Sequence, residues 1–136
     1  MADKDIFKET GAKKPEYTGD SYLEDYETFM KAFSSQEISG EEVGEMIARM
    51  AQHFARHNLI TVRSLKVYAK LKSELHGQPD AATGKPMTSS KADILASATP
   101  EAYAYEEARV HVQNVEQMIN ALKALQRGLL FEYQHQ

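Results

Sequence analysis

The chain has 136 residues, 42% hydrophobic and 26% charged, enough for about one domain with a core and too apolar to stay unfolded. It has no cysteine, which excludes a disulfide framework and thiolate metal sites and fits a reducing compartment. The opening residues lack the apolar run of a signal peptide, and nothing approaches the ~18 apolar residues of a membrane span, so a cytoplasmic protein with no membrane contact is expected. The net charge of −4 argues against indiscriminate polyanion binding, but it hides how the charges are distributed.

Residues 1–19 carry Gly11, Pro15 and Gly19 among mixed charges and read as a flexible arm, with Ile6 and Phe7 as anchoring groups; residues 20–136 read as a single helical domain. Tyr22, Tyr26, Phe29, Met30 and Phe33 recur at three- and four-residue steps and predict a short amphipathic helix from Ser21 to Ser34. Ser39-Gly-Glu-Glu42 is a capping box, so a long helix should start there. Its apolar stripe runs through Val43, Met46, Ile47, Met50 and Phe54, then Leu65, Tyr68, Leu71 and Leu75. His57, Thr61 and Ser64 interrupt that stripe and point to a bend or a change of packing partner near 57–64.

Gly77 to Pro86 is rich in turn formers and should reverse the chain in an exposed loop. Ser90 with Asp93 is a second candidate cap, opening a short helix over 91–98. Thr99-Pro100 places an N-cap residue before a proline at the first helical position, where the missing N–H costs nothing. In the long helix that follows, Val112, Val115, Met118, Ile119, Leu122, Leu125, Leu129, Leu130 and Tyr133 cover a face broader than one partner helix needs. The fold expected is all-α, an elongated hairpin of two long helices with short accessory helices. Val115, Met118, Ile119, Leu122, Leu125 and Leu129 are expected to form a homo-oligomer interface.

Residues 49–72 contain six cations, Arg49, Arg56, Arg63, Lys66, Lys70 and Lys72, and no aspartate or glutamate. Arg49, Arg56, Arg63 and Lys70 recur every seven residues, so they drift only about 60° around a helix over three heptads and form one stripe. A cation every ~10 Å along the axis suits successive phosphates of one strand. The alternative is a solvated basic face offset by acids elsewhere.

His53 and His57 share a face at the i, i+4 spacing of zinc sites, but Phe54 stands where a metalloprotease needs glutamate, and arginines flank the pair. They read as a polar patch or as phosphate-facing histidines, without metal or cofactor. Glu106, Glu107 and His111 lack the Glu-x-x-His spacing of di-iron bundles and read as a solvated face. The turn at Gly84-Lys85 has Pro79 and Pro86 where a phosphate loop needs glycine and serine or threonine, and no nucleophile elbow occurs, so no enzyme is expected.

The layout of polar arm, basic central helix, Gly/Pro/Asp loop, Met87-Thr-Ser-Ser-Lys91 entry, Leu95-Ala-Ser-Ala-Thr-Pro-Glu101 break and apolar C-terminal helix resembles the UvsY-type recombination mediators of tailed phages over residues 40–134. The resemblance implies an oligomeric ring that binds single-stranded DNA and helps a RecA-like recombinase replace the single-strand-binding protein. It places DNA binding on Arg49, Arg56, Arg63, Lys66 and Lys70, beside which His53 lies. A phage virion or assembly component, or a helical adaptor without DNA binding, is the other class these long helices suit.

Overall fold

The computed structural model describes residues 21–35 and 37–134; the arm expected over 1–19, with Ile6 and Phe7, and the side chain of Tyr133 lie outside the described residues. Four helices make up the fold: α1 (Ser21–Ser35), α2 (Gly40–His76), α3 (Ser89–Ser97) and α4 (Pro100–Gln134). The all-α expectation holds, with no strand among the described residues.

Local chemistry sets the helix ends. The Ser39 hydroxyl accepts from the Glu42 amide at 3.2 Å while the Ser39 amide donates to Glu42 Oε1 at 3.4 Å, closing the capping box that starts α2. Thr99 Oγ1 accepts from the Ala102 amide at 3.2 Å at the start of α4. Between α2 and α3, Asp80 organises a tight turn: its amide donates to Lys85 O, its carbonyl accepts from the Gly84 amide, both at 2.7 Å, and Gly84 takes the left-handed φ of 69° that the reversal needs. Both Asp80 carboxylate oxygens also accept from Lys91 Nζ at 2.8 Å, tying the loop to α3. The N-cap of α3 is Thr88, whose hydroxyl accepts from the Lys91 amide, and not the expected Ser90; α3 accordingly starts two residues earlier than 91. The Lys91 amide and its side chain are thus fixed together, which sets the frame at Thr88.

The two long helices are antiparallel neighbours. Gln126 Nε2 on α4 donates to the Gly40 carbonyl at the start of α2 at 3.0 Å, while Tyr105 near the start of α4 stacks on Tyr68 toward the end of α2 with ring centroids 6.0 Å apart. Gly44 makes the first crossing close, since a Cβ there would stand 3.1 Å from Gln126 Nε2. The core joins Tyr22 of α1, Ile38, Val43, Met46 and Met50 of the α2 segment, and Val115 and Leu122 of α4. The buried alanines Ala92, Ala96, Ala102 and Ala108 mark where α3 and the first turns of α4 come close to their neighbours. Helix α2 runs uninterrupted through 57–64; what changes there is the packing partner, from the Tyr22 cluster to Tyr105 and α3.

Two sequence assignments change. Val115 and Leu122, expected at an oligomer interface, are 0% and 1% exposed inside the chain's own core, because α1 covers the hairpin and takes part of the broad face. Met118, Ile119, Leu125 and Leu129 pack half-buried at the core's edge. Leu65, assigned to the core stripe, is 44% exposed.

Leu122→Ala should cost about 2–5 kcal/mol in urea unfolding, since a fully enclosed leucine leaves a cavity, whereas Val110→Ala on the exposed side of α4 should stay within about 0.5 kcal/mol of the parent.

Candidate nucleic-acid interface

The acid-free stretch of α2 turns its cations outward because the opposite side of the helix carries the core residues Val43, Met46 and Met50. Arg49, Arg56, Arg63, Lys66 and Lys70 are all exposed. Their surroundings differ. Lys72 lies 3.6 Å from Asp93 of α3 and 5.9 Å from the centroid of the Tyr68 ring. Arg49 donates from Nε and Nη2 to the two carboxylate oxygens of Asp25 on α1, both at 2.9 Å. Arg63, Lys66 and Lys70 make no ion pair among the described residues.

Leu59 and Val67, both exposed, flank these cations and give the face an apolar component, whereas Leu65, also exposed, lies about 160° around the helix from Arg63. The aromatic residues of this stretch are committed elsewhere: Phe54 packs at the edge of the core, and Tyr68 lies against Tyr105 and Lys72.

The histidines divide. His53 faces Asp25, with Nε2 2.6 Å from Oδ2, and remains beside the stripe. His57, expected in a polar or phosphate-facing patch, is only 1% exposed and sits inside the molecule, because its position on α2 continues the line of Met46 and Met50. Its ring meets Tyr22 edge-on at 5.2 Å between centroids and lies 5.0 Å from the ring of His111 on α4. His111, expected on a solvated face, belongs to the same cluster: Tyr22 Oη lies 2.8 Å from its Nδ1, and Asn114 Nδ2 donates to Tyr22 Oη at 3.1 Å. Tyr22 Oη thus lies between Asn114 Nδ2, which donates to it, and His111 Nδ1, while His111 Nε2 lies 3.6 Å from Glu107 Oε1. Glu106 pairs with Arg109, and both Glu106 and Glu107 remain exposed as expected. Among the described residues no group of three or more His, Cys, Asp or Glu is placed to hold a metal.

Asp25 and Tyr22 are the residues that sequence reasoning passed over. Tyr22 was legible as an apolar-face residue of α1, but the partner of its hydroxyl, 89 positions away, was not. The available signal was a histidine on the buried face of each long helix.

Burial, and then the neighbouring His111, His53 and Arg56, lower the pKa of His57 from 6.5 to about 4. For Asp25, burial pushes upward, but the hydrogen bonds and charges of Arg49 and His53 outweigh it and hold the carboxyl below its ordinary value. No described helix is long and apolar enough to cross a membrane. No family model, curated protein or solved structure matches the chain.

These shifts act in the same direction. Between about pH 6.5 and 4 the unfolded chain binds a proton at His57 that the folded chain refuses, so stability is full above that window and falls as pH drops through it. Asp25 adds a further loss below the ordinary carboxylate range. The melting temperature followed by circular dichroism should therefore decline from pH 7 to pH 4.5; a flat profile over that range would contradict the buried neutral imidazole.

Proposed function

We propose that the chain is a single-stranded-DNA-binding recombination mediator, one that assists a RecA-like recombinase in displacing the single-strand-binding protein and works as a homo-oligomer in the cytoplasm of its cell. The observation that carries the DNA-binding part is the outer face of α2, where Arg49, Arg56, Arg63, Lys66 and Lys70 stand exposed within a stretch free of acids. Their rise of ~10 Å per heptad presents charge along a line, which suits a flexible strand that can adjust its phosphates to the spacing. Contacts of this kind meet phosphates and not base edges, so binding tolerates any sequence. The recombinase and single-strand-binding partners rest on the resemblance of residues 40–134 to UvsY-type mediators. The homo-oligomer rests on apolar groups left outside the core, among them Ile94 and Leu95 of α3 and Leu130 of α4.

A second reading, a virion or assembly protein without DNA binding, draws on Leu59 and Val67, which give the same α2 face an apolar component suited to subunit packing.

Titration of a fluorescent oligo(dT) separates the two. The mediator reading expects binding whose log K falls with log salt at roughly 0.7 per phosphate neutralised. Replacing Arg63 and Lys70 together with alanine should weaken binding and flatten that slope by roughly 1–2 units, with helical content unchanged. Replacing Lys85 and Lys123, exposed cations away from α2, should change neither. Wild-type protein that binds no oligonucleotide, or a double variant with an unaltered slope, would favour the packing reading.

A further inference from the structure

We infer that the Asp25 carboxylate is an internal stand-in for a strand phosphate: it occupies an anion site formed by Arg49 and His53 at one end of the basic stripe, and a bound strand displaces it. The inference rests on the DNA-binding reading above and adds how one rung of that track is controlled.

The geometry of the contact is that of anion recognition. Arg49 offers two parallel N–H donors, Nε and Nη2, to the two oxygens of Asp25 at 2.9 Å each. A guanidinium offers the same fork to two oxygens of a phosphodiester. His53 Nε2 completes the site 2.6 Å from Oδ2, so one carboxylate oxygen is held by both residues. Arg49 is also in register, the first member of the heptad series with Arg56, Arg63 and Lys70, and its side chain is 63% exposed despite the pairing, which leaves an approach from solvent. The carboxylate comes from a different element, since Asp25 belongs to α1 while both donors belong to α2.

Helix α1 is built to hold this contact lightly. Of its fifteen residues only Tyr22 is buried, and the rest of its apolar side packs half-exposed on the hairpin. Arg49 is 63% exposed but Asp25 only 22%, so a phosphate that takes the two guanidinium donors must also offset the release of a half-buried carboxylate. Toward the start of α2 the next charged residues are Glu45, Glu42 and Glu41, so Arg49 is the last cation before a repulsive end. A carboxylate closing that rung confines a strand to Arg56 and beyond until the local phosphate competes it away.

Asp25→Ala and the near-isosteric Asp25→Asn should each bind oligo(dT) more tightly than wild type. One further phosphate, at a slope of 0.7, corresponds to about fivefold at 0.1 M salt relative to 1 M, and the salt slope should steepen by about 0.7. Arg49→Ala should weaken wild-type binding by less than it weakens the Asp25→Ala variant, in which it should abolish the gain. A loss of packing would not produce that dependence of one substitution on the other. If both Asp25 variants, folded by circular dichroism, keep the wild-type affinity and slope while Arg63→Ala with Lys70→Ala still weakens binding, the stand-in is overturned and the DNA reading survives. If wild type and both Asp25 variants all lack salt-sensitive binding, the DNA reading falls and the stand-in with it.

Discussion

The phenol of Tyr22 is the constraint on which the placement of α1 depends. A hydroxyl taken wholly out of water costs a few kcal/mol unless it is hydrogen-bonded, and Tyr22 is 0% exposed. Its oxygen must therefore find both a donor and an acceptor, and Asn114 and His111, three residues apart on α4, supply them. The ring meanwhile needs a wall, and His57 of α2 provides it edge-on. The observed position of α1 meets all three demands. One turn further along the same helix, that position carries Asp25 to Arg49 and His53, so a buried polar contact in the middle of the molecule sets an ion pair at one end of the basic face.

The same cluster explains why a neutral imidazole is used where an apolar residue would also fill space. Protonated, His57 would face Arg56 and two further imidazoles with almost no solvent to offset the charge. Neutral, it packs as a flat ring against Tyr22 and His111. The cations of α2 are kept apart from this interior by rotation alone: the helix places a core residue and an outward cation within one turn of each other, as Met50 and Arg49 or His57 and Arg56 show.

Local features were legible in the sequence, and pairings across the chain were not. The capping box at Ser39, the proline at the head of α4 and the turn formers of the 77–86 loop are decided by neighbours within a few residues, and each appears where expected. The cap of α3 was misplaced because Thr88, Ser89 and Ser90 are chemically equivalent as caps, and the choice is made by Asp80 gripping Lys91 from the loop. Val115 and Leu122 were assigned to a subunit interface because the breadth of an apolar face does not say whether α1 or another chain covers it. His57 was assigned to the surface because a histidine's residue type does not reveal its burial; its place in line with Met46 and Met50 did. The stripe itself was legible, since exposure of charge on a periodic helix is the default, but Asp25 as its partner depends on a tertiary position that no spacing encodes.

The outer face of α2 mixes cations with Leu59 and Val67, and the two kinds of partner proposed for it make different demands. A subunit packed flat on those apolar groups would also cover Arg63 and Lys66. An ion removed from water without a partner costs several kcal/mol, whereas full burial of a leucine or valine contributes about 1.5–3 kcal/mol. Such an interface breaks even only if the neighbour brings a carboxylate to each cation. A nucleic-acid strand carries its own negative charge at every step and leaves the cations largely in water, so it meets the basic component without that penalty, and the apolar side chains remain available to the sugars and base faces lying over them. On the proposed reading these magnitudes weigh toward a polyanionic strand, most strongly at Arg63, Lys66 and Lys70, which make no ion pair among the described residues.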